Sequence, residues 1–288
     1  MRKTPCGVTT NATIYQDFTM PGKAVREKIA SGVGSIVVKV GTSGICDDTG
    51  RLDKTVVRSL CKQLAEVMDR GISVTLVASG AVGAGMAEMN LSERPKTIEM
   101  LQAVAAVGQG QLMRVFHDVF GRRGIGVGQV LLTREDFEDR LRYLNIRNTL
   151  ITLSRCGAIP IINENDAVAV DEFRYGDNDI IAALLTNMLS ADLLVLLTTV
   201  DGLLKGSEVV DVVENIDDDI LSLAGSDKSR LGTGGMASKL AAASMVTRAG
   251  EMAAIANART AGVVTKLLAG QQVGTIFVPA TRKMPSRK

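Results

Sequence analysis

Five short apolar runs, separated by longer stretches of helical periodicity, constrain the fold of this chain more than any other feature. They are 35–40 (SIVVKV), 73–78 (SVTLVA), 126–132 (GVGQVLL), 158–163 (AIPIIN) and 192–198 (DLLVLLT). Each is nearly continuous in apolar residues, the pattern of strands buried on both faces of a parallel sheet. Between them, apolar residues recur at three- and four-residue spacing. Val57, Leu60, Leu64 and Val67 predict a helix over about 53–70. Leu101, Val104, Val107, Leu112, Val115 and Val119 predict another over about 97–121, and a third is expected over about 136–156. The alternation predicts an α/β fold, a three-layer α/β/α sandwich with a mainly parallel central sheet.

The 288 residues suffice for one large core or two lobes around a cleft. No Pro/Ser-rich linker breaks the chain after residue 31, so 31–288 reads as one domain. Residues 1–30 read as a flexible extension ahead of a short helix near 22–30; they carry no apolar core of a secretory signal. A net charge of +2 is too balanced to attract nucleic acid or a membrane surface in bulk. The strongest apolar run, LLVLL at 193–197, has the length of a buried strand and not of a membrane span. Cys6, Cys46, Cys61 and Cys156 lack metal-ligand or disulfide-framework spacing, which fits a reducing cytoplasm and incidental thiols. Cys46 follows the first glycine loop, where alkylation would block activity sterically.

In open α/β sheets ligands bind beyond the carboxyl ends of strands, and the polar motifs of this chain fall there. KVGTSG places Lys39 at a strand end before a glycine turn, a charge and a backbone nest for an anion, or a purely structural turn. GTGGMASK runs into a helix over about 236–250 with Lys239 in its first turn, where a lysine opposes the helix dipole and is poorly explained by structure alone. It is not a Walker A sequence, since Ser238 and Leu240 flank the lysine. In ASGAVGAG the glycines Gly80, Gly83 and Gly85 have the wrong order for a dinucleotide fingerprint. Ser79 with the N–H groups of Gly80 and Ala81 suits a carboxylate at a helix start, or a plain N-cap. NENDAVAV (163–170) and YGDNDI (175–180) form two Asn/Asp clusters, more than capping requires, suited to an α-ammonium group. A divalent-metal site built from these acids is the alternative, with no His or Cys to support it. Thr198 and Thr199 end a strand before an Asp201-Gly202 turn, where they suit ribose contacts. His117, the single histidine, sits mid-helix beside Phe116 and Phe120 and reads as packing or surface.

Two glycine-set lysines with an acidic and amide cluster between them describe a small-molecule kinase that clamps a phosphoryl group from both sides. Jointly, KVGTS, SGAVGAG, GQVLLTRED (128–136), INENDAVAV, GDND and LGTGGMASK resemble the amino acid kinase family in order and spacing, over about residues 35–278. The resemblance is to members that use ATP, with Mg²⁺, to phosphorylate the side-chain carboxylate of L-glutamate, giving L-glutamyl 5-phosphate, the first step of proline biosynthesis. It implies that Lys39 and Lys239 contact the ATP phosphates and stabilise the transferring group, with Asp179 organising them. It implies that Ser79, Gly80, Ala81, Asn163, Asp166 and Asn178 bind glutamate in an N-terminal lobe. Gly41, Thr198, Thr199 and the loop Thr233, Gly234, Gly235, Met236, Ala237, Ser238 and Lys239 would hold ATP in a C-terminal lobe. No residue is assigned to a metal. The resemblance further implies a cytoplasmic homo-oligomer, with helix 97–121 as candidate interface, feedback inhibition by proline, and hand-off to glutamyl phosphate reductase.

Three features depart from the family pattern. Many bacterial relatives carry a C-terminal PUA domain, which this chain is expected to lack. Thr199 stands where many relatives have Asp, and the N-terminal extension has no counterpart. NENDAVAV followed by GDND argues against acetylglutamate kinase, aspartokinase and uridylate kinase. The retained Lys39, Lys239 and Asp179 argue against a non-catalytic regulatory relative.

Overall fold

The computed structural model describes residues 22–47, 50–168, 177–225 and 235–279. All five apolar runs form strands: β1 Ser35–Val40, β2 Ser73–Ala78, β3 Val127–Leu132, β4 Ile159–Glu164 and β5 Leu193–Thr198. Five further strands among the described residues are β6 Leu204–Lys205, β7 Glu208–Val209, β8 Val212–Val213, β9 Met252–Asn257 and β10 Thr275–Phe277. Among the described residues, eight strands join in one sheet in the order β3-β4-β2-β1-β5-β9-β10-β8, and β6 pairs with β7 as a separate ribbon. From β3 to β9 every neighbour is parallel; only β10 runs against β9. The carboxyl ends of six strands, including Val40, Ala78, Glu164, Thr198 and Asn257, therefore lie along one edge of the sheet.

The helices, in chain order, are α1 Gly22–Gly32, α2 Thr42–Ile45, α3 Lys54–Asp69, α4 Ala81–Glu88, α5 Ile98–Gly121, α6 Arg140–Arg155, α7 Asp177–Leu189, α8 Asp218–Ser222, α9 Met236–Ala249 and α10 Val263–Leu267. A 3₁₀ turn at Arg134–Phe137 precedes α6, so the third expected helix starts four residues later than the sequence pattern suggests. Strand periodicity sorts the core into two layers. Ile36, Val38 and Val40 of β1 pack with Leu60 and Leu64 of α3 and Phe116 and Phe120 of α5. Val37 faces the other way, with Ile181 and Leu185 of α7 and Leu240 and Val246 of α9. Lys39 shares the parity of Val37 and so points toward α7 and α9.

β3 differs from the expected fully buried strand. It is the sheet's edge, several of its side chains are half-buried or exposed, and Leu131 is 37% exposed. β9 escaped the sequence reading because Met-Ala-Ala-Ile-Ala-Asn carries one β-branched residue among alanines, which favour helices. Pairing with β5 along six residues makes it a strand.

The expected boundary at residue 30 falls inside α1, which is tied into the domain. Val25 and Ile29 are buried in the core. Arg26, 4% exposed, donates to Asp211 Oδ1 and to the carbonyls of Gln271, Val273 and Gly274. Residues 1–21 lie outside the described residues.

β2 turns into α4 through Gly80, whose φ of +107° is costly for any residue with a side chain. α4 then packs backbone-to-backbone on α5. A Cβ on Gly108 would stand 1.8 Å from the Ala81 carbonyl oxygen, with no flexible atom able to yield. Gly108→Ala is therefore expected to destabilise the fold by about 1–3 kcal/mol or more. Urea unfolding checks this, with Gly110→Ala, where a Cβ on the exposed face of α5 meets nothing within 4 Å, as the control expected to keep or slightly raise stability.

Candidate active site

Lys39 is the penultimate residue of β1, and Asp179 lies in the first turn of α7, where a carboxylate complements the helix dipole. Lys39 Nζ is 2.6 Å from Asp179 Oδ1. From the first turn of α9, Lys239 Nζ is 3.2 Å from Asp179 Oδ2, and Ser238 Oγ donates to the same oxygen at 2.6 Å. Asp179 is fully buried and both lysines are 5% exposed. Two ammonium groups against one carboxylate leave one net positive charge in a nearly dry setting. That surplus, at the edge where the strands end, is what a phosphate oxygen requires.

Burial opposes ionisation of Asp179, but Lys39 and then Lys239 outweigh it, and its carboxyl is held below the usual carboxylate range. Burial pulls the Lys239 ammonium below the ordinary lysine value, with Asp179 opposing and Lys39 adding to that shift. Gly41 keeps the first loop close: a Cβ there would lie 3.3 Å from Lys39 Nζ. Cys46, at the end of that loop, is buried, in keeping with the reading of incidental thiols, and burial pushes its thiol up to about 12.

One residue before Asp179, Asn178 begins a second, uncharged cluster. Its Nδ2 donates to Ser79 Oγ at 2.8 Å and to Asn163 Oδ1 at 3.1 Å. Asn163 Nδ2 donates to Gln109 Oε1 at 2.8 Å. Ser79 is not the N-cap of α4: that position belongs to Gly80, without a side-chain cap, and the Ser79 hydroxyl faces Asn178 instead. Gly80 and Ala81 bring the start of α4 to the same place. Asp166 is half-buried two residues beyond β4, on the same edge of the sheet.

The nucleotide candidates divide. Gly235, Met236, Ala237, Ser238 and Lys239 form the cap and first turn of α9; Thr233 and Gly234 lie outside the described residues. Thr198 ends β5, and Thr199 follows it, exposed. Beyond the ends of β5 and β9 opens a cleft of about 350 Å³, lined by Asp201, Asp211, Asn257 and Thr260 among others. Its lining does not include the buried ion triad. Asn257 Nδ2 donates to Asp201 there at 2.9 Å. His117 is exposed beside buried Phe116 and Phe120.

Gln109 was missed by the sequence reading. A signal existed: Ala105, Gln109, Leu112 and Phe116 follow four-three-four spacing, so one amide interrupts the buried stripe of α5. Val107, read as part of that stripe, is 41% exposed.

Residues 34–257 match the amino acid kinase family. Glutamate 5-kinase of Thermoanaerobacter sp. (strain X514) is 44% identical over 260 residues, covering 88% of this chain and 70% of that protein. Glutamate 5-kinase of Clostridium acetobutylicum is 41% identical over 264 residues, covering 89% of this chain and 99% of that protein. Among solved structures, carbamate kinase from Giardia lamblia bound to AMP-PNP has a similar fold, with a TM-score of 0.58 at 20% identity over 87% of this chain and 99% of that one.

Removing the carboxylate that pairs both lysines should be costly. Asp179→Asn is expected to lose about 3–5 kcal/mol of stability at neutral pH, because two buried cations are left without a counter-charge. The folded pKa of Asp179 is depressed, so its contribution is complete above the ordinary carboxylate value and is lost as pH falls through the depressed one. Urea unfolding from pH 7 downward should show the gap between wild type and variant closing only below the usual carboxylate range.

Proposed function

The chain belongs to the amino acid kinase family, in its glutamate 5-kinase group, and from that premise we propose how its residues divide the work. The reaction is transfer of the γ-phosphoryl group of ATP to the side-chain carboxylate of L-glutamate, giving L-glutamyl 5-phosphate, the first step of proline biosynthesis. The observation that carries the assignment of roles is the adjacency of Asn178 and Asp179. One turn of α7 holds the uncharged cluster on one side and the two-lysine clamp on the other.

Glutamate's side-chain carboxylate is ionised at neutral pH, so the attacking oxygen needs no general base. Catalysis reduces to aligning two anions and offsetting their repulsion as charge spreads over the transferring group. Lys39 and Lys239 supply that positive charge from fixed positions, and Asp179 holds their ammonium groups apart and oriented. The Gly41 turn and the Gly235–Lys239 segment, with Thr233 and Gly234 before it, offer N–H groups to the ATP phosphates; Thr198 and Thr199 take the ribose side. Ser79, Asn163, Asn178 and the Gly80–Ala81 N–H groups hold the amino acid, and the Asp166 carboxylate takes its ammonium.

Both Asp179 oxygens are engaged by lysines. Among the described residues no cluster of three or more His, Cys, Asp or Glu is placed to hold a metal ion. Mg²⁺ fits instead on the phosphates of ATP, where it supplies further charge neutralisation.

Proline, with an ammonium and carboxylate like those of glutamate, would inhibit by overlapping the Asp166–Asn178 site. Met100 and Val107, exposed on α5, support that helix as a face for homo-oligomer formation. The acyl phosphate product is labile in water, which favours direct hand-off to glutamyl phosphate reductase. Free thiols at Cys46, Cys61 and Cys156 fit a cytoplasmic setting, and no helix among the described residues is long and apolar enough to cross a membrane.

Hydroxylamine trapping of the acyl phosphate tests the acceptor. With ATP and Mg²⁺, hydroxamate should form with L-glutamate and not with N-acetyl-L-glutamate or L-aspartate; turnover with another acceptor would displace the acceptor-site assignment. Lys239→Ala should lower kcat on the order of 10²–10³-fold while leaving glutamate binding by calorimetry largely intact. Asp166→Ala should raise the KM for glutamate far more than that for ATP in steady-state assays.

A further inference from the structure

The amide chain beneath the substrate cluster has a direction, and a backbone group sets it. The N–H of Glu164 donates to Asn163 Oδ1 at 2.9 Å, so that atom must be the oxygen; an NH₂ group there would confront a second donor. Asn163 Nδ2 must then point to Gln109 Oε1, and Asn178 Nδ2 must point back to Asn163 Oδ1 and to Ser79 Oγ. Every amide in the chain is thereby oriented. Two buried atoms at its ends have no hydrogen-bond partner among the described residues: Asn178 Oδ1, an acceptor, and Gln109 Nε2, a donor. An unpartnered acceptor at Asn178 is what an ammonium-bearing substrate requires; the flipped amide would present a donor and repel it.

We infer that Gln109 is a positioning residue for the amino-acid substrate, acting through Asn163 to keep the Asn178 oxygen turned toward the ammonium group. The inference rests on the assignment of Asn178 to glutamate binding. Gln109 lies on α5, which no sequence motif connects to the site, and it is 9% exposed, with Asn163 at 3%. Backbone contact between α4 and α5 at Ala81 and Gly108 sets the depth of its neighbour along the helix, and so the reach of its amide. Without the Gln109 oxygen, Asn163 Nδ2 has no acceptor, and the amide loses one of its three contacts, the one made by its nitrogen.

The test is a split between two substrates. Gln109→Met, of similar volume and without the amide, should raise the KM for glutamate roughly ten-fold, the scale of one buried hydrogen bond, with kcat and the KM for ATP unchanged. Gln109→Asn keeps an amide but is one methylene shorter, so it should show the same split and serves if the Met variant fails to fold. In an Asn163→Ala background the Gln109 substitution should add little, since its route is already cut. Asn178→Ala is measured alongside. If Asn178→Ala raises the glutamate KM and neither Gln109 variant does, the positioning role is overturned and the site assignment stands. Equal shifts for glutamate and ATP would overturn it too, by showing a general structural effect. If Asn178→Ala leaves glutamate dependence unchanged, the site assignment fails and takes the inference with it.

Discussion

The structure depends on one buried carboxylate. Asp179 meets Lys39 from the central strand and Lys239 from the helix after the last motif, and it does so without exposure to water. Each lysine alone would be intolerable at that depth, and so would the carboxylate. Together they are held, but with one positive charge left over. A purely structural ion group would be better balanced. The surplus suits a further anion, and the sheet edge on which it lies is where an open α/β fold admits one.

The rest of the site follows from how that carboxylate is reached. Residue parity in β1 turns Lys39 toward α7 and α9 while Val38 and Val40 pack on α3 and α5. α7 then presents two consecutive side chains to different partners, Asp179 to the lysines and Asn178 to Ser79 and Asn163. A helix rotates by about 100° per residue, so neighbours in sequence face different directions. One helix start can therefore join the amide cluster and the lysine pair and hold their spacing.

Support comes from elements beside the charged triad. α4 and α5 touch at the backbone because Gly85 and Gly108 carry no Cβ, which brings the start of α4 and the Gln109 amide to the same small volume. α1 anchors the opposite side: Arg26 binds Asp211 and the Gly274 carbonyl, both of which line the cleft beyond β5 and β9. The Ser238 hydroxyl, in a loop read as nucleotide-binding, is bonded to Asp179, so the loop's side chain steadies the triad.

The sequence by itself determined the five principal strands, the main helices and the location of every polar motif after a strand or at a helix start. Continuous apolar runs and three-four spacing are local signals, and each is set by the solvent on either side of an element. The two lysines, Asp179 and the Asn/Asp clusters were legible for the same reason, since their residue types contradict a bland turn. Tertiary structure decided what depends on neighbours distant in the chain. β9 is a strand because β5 and β10 pair with it, against the helical preference of its alanines. β3 is an edge because among the described residues no strand pairs on its outer side, which no property of Val127–Leu132 encodes. Gln109 joins the site only because two glycines let helices approach, and the direction of its amide is set by a backbone N–H fifty-five residues away. Hydrogen-bond polarity is a property of a closed network, and a chain has no such network until it folds.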